Sequence, residues 1–555
     1  MGANGSYRGI ADYQCSPLIT GEDMTEVDYE IVQVGYGPVG QTFAALAGKL
    51  GCQIAVYERH PSLYALPRAG HIDHEIMRTF QSLGCAEAVE SNALRSNKYE
   101  WRNVAGERLI EFEWNSEGIS GWPSDYLIFQ PYVENELDRA ARSSPTVSIN
   151  HGWEVIGVVQ NSDHVRLTVR DTASVKSGGQ VSTKSVTARY LVAADGGNSF
   201  VRKFLGTDWA DLGFSQPWLV VDFKEKRPLS LSFENGQVCD PARPMCLFQL
   251  GKEHRRFSFM VMPGEEEWAA QPDTAWSLVS PWVGPEDVQL IRQATYIFES
   301  KLLDQWKTGR VLFIGDSAHV MPPFMGQGMC SGIRDASNLA WKLNSVLSGL
   351  SSESLLDSYC VERKPHVEDL IRLSMEVGRI SCTTDPEIAR QRDEALLGGK
   401  KLPSSPFPGL VHGVLMSNPS PVEATVVGRL GPQGRIQRGN EVALADHFLG
   451  AGWHLICADD ISQTLDSCTK RVLDRISAQI MHFGACGGAV DVDGFYRRYF
   501  QETGVVAVLV RPDFYIYCAA ETPERLNGSI ADLERILLVP GGHGVSNRRK
   551  RNVAA

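Results

Sequence analysis

VGYGPVG, residues Val34 to Gly40, has glycines at 35, 37 and 40, the spacing G-x-G-x-x-G. Ahead of it, Tyr29-Glu30-Ile31-Val32-Gln33-Val34 is an apolar run that reads as a buried strand. Behind it, the pattern from about Pro38 to Leu50 reads as a helix, and Cys52 to Glu58 (CQIAVYE) as a second strand. Strand, glycine turn, helix and strand form a βαβ unit near the head of the chain. Such a turn lets a phosphate approach backbone N–H groups at a helix N-terminus, where the dipole favours an anion. Tyr36 is the odd residue, bulky where small side chains are usual; it either narrows the turn or points away into solvent.

An acid closes the second strand. Glu58 lies about 20 residues beyond the turn, where an acid takes ribose hydroxyls. Arg59 beside it belongs to the same candidate pocket. The acid argues against a 2′-phosphate here, so the expected ligand is the ADP-ribose part of NAD or FAD rather than of NADPH.

A second segment separates those two. GRVLFIGDSAHVMPPFMGQGMCSGIRDASNLAWKL, Gly309 to Leu343, reads as a strand ending in Gly315-Asp316. A proline-stiffened loop (Met321-Pro322-Pro323) then leads through Gly326-Gln327-Gly328 to a helix starting near Met329. A carboxylate at a strand end suits the hydroxyls of a polyol chain. Exposed N–H groups at a helix start suit a ring that gains negative charge on reduction. A dehydrogenase using NAD alone has no need of this second cradle.

The rest of the chain bounds the alternatives. Its 555 residues exceed what one core normally serves, so two or three domains are expected. A formal net charge of -12 argues against nucleic acid as a partner. The basic run Arg548-Arg549-Lys550-Arg551 reads as a solvated end. No apolar stretch approaches the roughly 18 residues of a membrane span, and the N-terminus lacks the apolar core of a signal peptide. Met1-Gly2 followed by Ser6 meets only the loose N-myristoylation pattern. The 12 cysteines include no C-x-x-C, so reduced thiols and a cytoplasmic setting are expected. No cluster has metal-ligand spacing. Residues 61–140 read as mainly helical, 214–300 as strand-rich (LVVDF, CLFQL, FSFMVM), and 398–440 as a Pro/Gly-rich linker before a small α/β unit.

These segments together resemble the single-component FAD-dependent aromatic hydroxylases, the group of p-hydroxybenzoate hydroxylase and 3-(3-hydroxyphenyl)propionate hydroxylase. The likeness is carried by GDSAHVMPPFMGQGMCSGIRDASNLAWKL, by YLVAADGGNSFVRKFLG (Tyr190 to Gly206), by PRAGHIDHEIMRTF, and by RRFSFMVMPGEE and LVRPDFYIY. It spans residues 28–380 and, more weakly, 440–540. The resemblance implies a Rossmann-like α/β FAD-binding domain (28–213 and 301–395) interleaved with a mixed β-sheet substrate domain (214–300). It also implies a linker (396–440), a C-terminal thioredoxin-like domain (441–540) of structural or dimer-supporting role, a flexible leader (1–27) and a tail (541–555). In the site, Gly35, Gly37, Pro38 and Gly40 would hold the pyrophosphate, with Glu58 and Arg59 at the adenosine end. Arg68 would lie over the phosphates, while Gln130 and Asp195 would support the dinucleotide. Asp316 would take the ribityl hydroxyls, and Pro323, Gly326, Gly328 and Met329 would line the isoalloxazine. The activity implied is NAD(P)H- and O2-dependent hydroxylation of a phenol or aromatic polyketide through a flavin C4a-hydroperoxide, in aromatic catabolism or secondary metabolism. The same flavin motifs serve Baeyer–Villiger or epoxidising oxygenation and a non-catalytic flavin-binding paralogue. His71 stands where a small residue is typical, His319 reads as ordering its loop, and no catalytic base is assigned.

Overall fold

The computed structural model describes residues 27–95, 98–176, 181–231, 233–402, 409–483 and 488–539. The Met1-Gly2 pattern, the leader up to residue 26 and the tail with Arg548–Arg551 lie outside the described residues. The strand Tyr29–Val34 lies inside a parallel sheet, which is why four successive residues of it are buried with no alternation. Its neighbours are Thr183–Ala193 on one side and Ile54–Glu58 on the other, both parallel to it. Val311–Phe313 extends the sheet beyond the first, and Val147–His151 beyond the second, again parallel. The strands Trp153–Gln160 and Val165–Asp171 form an antiparallel meander against the early part of Thr183–Ala193. Because the five parallel strands run one way, Gly35, Glu58, Asp195 and Gly315 all emerge at the same carboxyl edge. That edge is where open α/β sheets bind ligands.

The second sheet runs in the order His319–Val320, Val288–Leu303, Trp209–Glu225, His254–Met260, Met245–Leu250, Gly236–Val238, Lys98–Arg102, Arg108–Glu113. It corrects the reading of 61–140 as mainly helical. Residues 98–113 form a hairpin that joins this sheet through a parallel pairing with Gly236–Val238. His71–Asp73 and Asp125–Leu127 also pair. The hairpin's alternation (RLIEFE) is short and sits between strongly helical segments, so its strand signal is local while its partner is distant. The sheet is wider than 214–300: its two long strands begin at Trp209 and end at Leu303.

Register separates the two faces of this sheet. Leu219, Val221, Phe223, Leu247, Phe257 and Phe259 pack together with Ala269, Ala275 and Val279 of the short helices covering the far side. Trp218, Val220 and Asp222 therefore face the parallel-sheet domain, opposite Met260, Ser258 and Arg256. Cys246 and Phe248, paired with Ser258 and Arg256, continue that face. Arg256 anchors it: its guanidinium pairs with Asp222 at 2.7 Å and donates to the carbonyls of Pro67 and Arg68.

The C-terminal unit has a four-stranded sheet in the order Gln479–His482, His454–Cys457, Ala507–Val510, Ile516–Ala520. The first pair is parallel and the other two antiparallel. The Pro/Gly-rich stretch before it is bound to it. The N–H groups of Met416, Gly428 and Gly431 donate to Tyr517, Ile516 and Phe514. A buried ionic cluster joins this unit to the first domain. Glu362 meets Arg511 at 2.6 Å and Lys342 at 2.7 Å, and Asn338 bridges Glu362 and Asp513. Burial of the cluster alone would neutralise Glu362, but Arg511 and Lys342 override it and bring its carboxyl down to about 2. Among the described residues no helix is long and apolar enough to cross a membrane, and no group of His, Cys, Asp and Glu could hold a metal ion.

Candidate active site

Each glycine of the opening turn has its own reason. Gly35 has φ +94°, and a Cβ there would lie 2.3 Å from the Ala194 carbonyl oxygen. A Cβ on Gly40 would lie 2.7 Å from the Gly35 oxygen, so strand and helix pack too closely for a side chain. A Cβ on Gly37 would meet nothing within 4 Å. That glycine faces open space, at the start of a helix (Pro38–Lys49) that no side chain caps and whose first position is Pro38. Gln33 secures the turn from inside the sheet, its Nε2 donating to the carbonyls of Gly35 at 2.8 Å and Gly40 at 3.0 Å. Sequence reasoning missed Gln33; the available signal was a lone glutamine inside an apolar strand.

Tyr36 points away from the turn, but into protein and not into solvent. Its hydroxyl donates to Asp138 at 3.0 Å, its ring meets His151 edge-on at 5.6 Å, and the residue is buried. Its backbone N–H donates to Glu58 Oε2 at 2.9 Å, while Glu58 Oε1 accepts from the His60 N–H at 2.8 Å. The acid thus shapes the turn as well as facing it. Arg59 is exposed at the rim.

Arg68 is exposed, with its guanidinium 4.6 Å from the Tyr64 ring. Gln130 holds the backbone of that loop: its Oε1 accepts from the N–H groups of Arg68 at 3.1 Å and Ala69 at 2.6 Å. Its Nε2 donates to Glu134 at 2.6 Å. Gln130 therefore positions the arginine loop. Glu134 is buried beneath the turn and also accepts from Gln41 at 3.3 Å. Desolvation pushes its carboxyl up to about 7 against the help of Gln130, Arg68 and Gln41.

Asp195 follows the strand Thr183–Ala193. One carboxylate oxygen accepts from the Val201 N–H at 3.0 Å; the other is buried and has no partner. Gly315 turns the next strand with φ +59°, and its N–H donates to Asp335 at 3.1 Å. Asp335 also pairs with His319 at 2.7 Å and Arg363 at 2.9 Å. His319 is thereby locked in the interior and orders the loop. Asp316 is reachable by solvent yet crowded by protein, so desolvation raises its carboxyl while His319 and Arg68 counteract. Those two properties together mark a residue on the wall of a deep cleft. The pull of Arg68 also puts that guanidinium in electrostatic range of Asp316.

The helix Gln327–Leu347 begins two residues earlier than the sequence suggests. Its N-cap is Gly326, left-handed at φ +65°, and no side chain caps it. Pro323 is exposed ahead of it, Gly328 has room beside it, and Met329 is buried against Ile72 and Ile76. A Cβ on Gly326 would lie 2.7 Å from His71 Nδ1. His71 Nε2 meets Asp125 at 2.8 Å. Burial opposes the charged imidazole, but the bond to Asp125 prevails and holds its pKa well above the usual range. Gly332, also unremarked in the sequence, lets this helix cross the first one: a Cβ there would lie 2.5 Å from Val39. Val39 touches the Gly315 turn as well.

The arrangement fits a flavin dinucleotide. Two uncapped helix starts face the same edge, Gly37 leaves space where a phosphate would sit, and Asp195 presents a buried oxygen without a donor.

Comparison with known proteins agrees. Residues 28–374 match the FAD binding domain family, and residues 428–535 match the HcaD C-terminal domain. A probable NADH-specific resorcinol 4-hydroxylase of Rhodococcus jostii (strain RHA1) is 38% identical over 517 residues, covering 91% of this chain and 94% of that protein. A 3-(3-hydroxy-phenyl)propionate/3-hydroxycinnamic acid hydroxylase of Mycolicibacterium gilvum (strain PYR-GCK) is 32% identical, covering 78% and 76%. Among solved structures, the flavin-dependent monooxygenase PieE with FAD and substrate aligns with TM-score 0.77 at 20% identity, over 92% of this chain and 99% of that one. Aklavinone-11 hydroxylase with FAD and aklavinone aligns with TM-score 0.74 at 21% identity, over 93% and 100%.

Proposed function

Because this chain belongs to the FAD-dependent aromatic hydroxylases, we propose that it hydroxylates a small dihydric phenol of the resorcinol kind, with NADH and dioxygen as co-substrates. The observation that carries the reading is the meeting, at one sheet edge, of Glu58, Asp195 and Asp316 with two uncapped helix starts. The resorcinol class and NADH are supported by the name of the Rhodococcus relative, which this chain matches almost end to end.

When bound, FAD supplies hydride acceptance and oxygen activation. The protein's share is placement and exclusion of water. Gly37 would receive the pyrophosphate at the helix start, over the turn that Gly35, Pro38 and Gly40 shape, with Arg59 and Arg68 adding positive charge at the rim. Glu58 takes the adenosine ribose and Asp195 a further hydroxyl, while Asp316 takes the ribityl chain. The first N–H groups of the second helix, at Gly328 and Met329 behind Pro323 and Gly326, stabilise negative charge on the ring. The phenol lies against the face bearing Trp218, Cys246, Ser258 and Met260, where the sheet keeps bulk water from the reacting atoms. The C-terminal unit, whose strand order supports a thioredoxin-like reading, is structural: it has no C-x-x-C and it buries Arg511 against the first domain. A cytoplasmic setting accords with ten described cysteines that are all free thiols.

The test is oxidation of NADH by the purified holoenzyme with a panel of phenols, using 18O-labelled dioxygen and mass spectrometry of products. Resorcinol-stimulated oxidation with one labelled oxygen added to the ring is expected. A flat response across the panel refutes the reading. A ring-expanded lactone moves it to Baeyer–Villiger chemistry.

A further inference from the structure

The strand Lys98–Arg102, outside the region expected to bind substrate, brings one tyrosine to the cleft. Tyr99 stacks on Trp114 with ring centroids 4.9 Å apart and planes 21° from parallel. Trp114 lies 5.6 Å from the His71 ring, and His71 Nδ1 is 3.4 Å from the carbonyl of Gly326, which starts the second cofactor helix. On its other side the Tyr99 hydroxyl lies 3.4 Å from Cys246 Sγ, on the sheet face turned toward the cofactor domain. Tyr99 also packs in a cluster with Phe324 and Met325 of the loop ahead of that helix. Sheet and flavin loop thus share one apolar cluster, with Tyr99 at its border.

Tyr99, Trp114 and Cys246 are only partly buried although each is packed between elements, and residues with that combination line a cleft. Gln237 serves the Tyr99 hydroxyl oxygen, which leaves the hydroxyl hydrogen on Cys246, and a thiol is a poor acceptor that a phenolic oxygen can replace.

On the functional reading above, we propose that Tyr99 touches the substrate: its hydroxyl donates a hydrogen bond to the phenolic oxygen, and Tyr99 and Trp114 together wall the ring. Burial holds the Tyr99 hydroxyl well above its ordinary pKa, so it remains a donor across the working pH range. A donor at that place stabilises the substrate as phenolate, the electron-rich form that is hydroxylated. The contact with Cys246 is exchanged for the substrate oxygen on binding.

The test titrates oxidised holoenzyme with resorcinol and with its dimethyl ether, following the flavin absorbance. Tyr99→Phe is expected to bind resorcinol about tenfold more weakly, the equivalent of about 1.4 kcal/mol. Its affinity for the ether, which the lost donor serves less, should stay within about twofold, and the pH at which bound resorcinol ionises should rise. Equal resorcinol affinity in Tyr99→Phe and wild type overturns the assignment. If Tyr99→Phe fails to hold FAD, 3-fluorotyrosine incorporated at position 99, nearly the size of tyrosine but a stronger donor, decides. Resorcinol should bind at least as well as to wild type and ionise at a lower pH when bound, and an unchanged affinity and ionisation overturn the proposal. Wild type that oxidises no NADH with any phenol refutes the functional reading itself. Intact wild-type turnover with unchanged Tyr99→Phe affinity refutes only the role of Tyr99.

Discussion

Replacing Glu134 by glutamine tests whether the floor beneath the glycine turn carries a carboxyl that titrates near neutrality. Glu134 is 2% exposed, and burial raises its pKa from 4.5 to about 7. A carboxyl whose folded pKa is raised holds its proton in the folded protein where the unfolded chain has lost it. Its stabilising contribution is full below pH 4.5 and disappears as pH rises through about 7. The shift is worth about 3 kcal/mol in all, of which about 2 kcal/mol falls between about pH 5.5 and 8.5. Glutamine does not titrate. Urea unfolding of the apoprotein, read by tryptophan fluorescence, should show Glu134→Gln gaining about 2 kcal/mol on wild type as pH rises over that interval. Stability curves parallel to within about 0.5 kcal/mol would mean that Glu134 stays ionised throughout, and the account of the turn's floor would be wrong.

Two glycines of one motif should fail differently. Gly37→Ala has room in the protein and should leave the melting temperature of the apoprotein almost unchanged while FAD affinity, measured by flavin fluorescence, falls. Gly35→Ala must move the Ala194 backbone and should not yield a folded apoprotein; equal behaviour of the two variants would refute the division of roles. Arg511→Met takes one cation from the buried cluster with Glu362 and Asp513 and should cost about 3 kcal/mol or more, seen as a lower urea midpoint. A midpoint equal to wild type would show that the C-terminal unit is not held by this cluster.

The βαβ unit and the strand, glycine loop and helix of the second glycine segment were legible because each is a contiguous run of a few dozen residues. The parts that were not legible depend on partners distant in the chain. Gln33 looks like an ordinary strand residue until the two carbonyls it serves are in place. Gly332 looks like a weak point in a helix until Val39 lies against it. The hairpin 98–113 shows its strand character through pairing with residues 236–238, and the facing side of the substrate sheet is decided by what covers the other side. The sequence does not decide whether Tyr36 narrows the turn or leaves it, because Asp138 and His151, which enclose it, are each about a hundred residues away.

Val39 touches both Gly315 and Gly332, and that contact has a consequence for how the chain is made. The two cradles share one seam, yet roughly 280 residues of synthesis separate Gly35 from Gly315. At ordinary ribosomal speeds this is about 15 to 55 s during which the N-terminal unit waits with an apolar helix face bare and its sheet one strand short. The nascent chain must keep that face from other partners until Val311–Phe313 slots in beside Thr183–Ala193. A flavin site built from both segments would be complete only late in synthesis, and a chain stalled before residue 347 would carry the first glycine motif with nothing to close it.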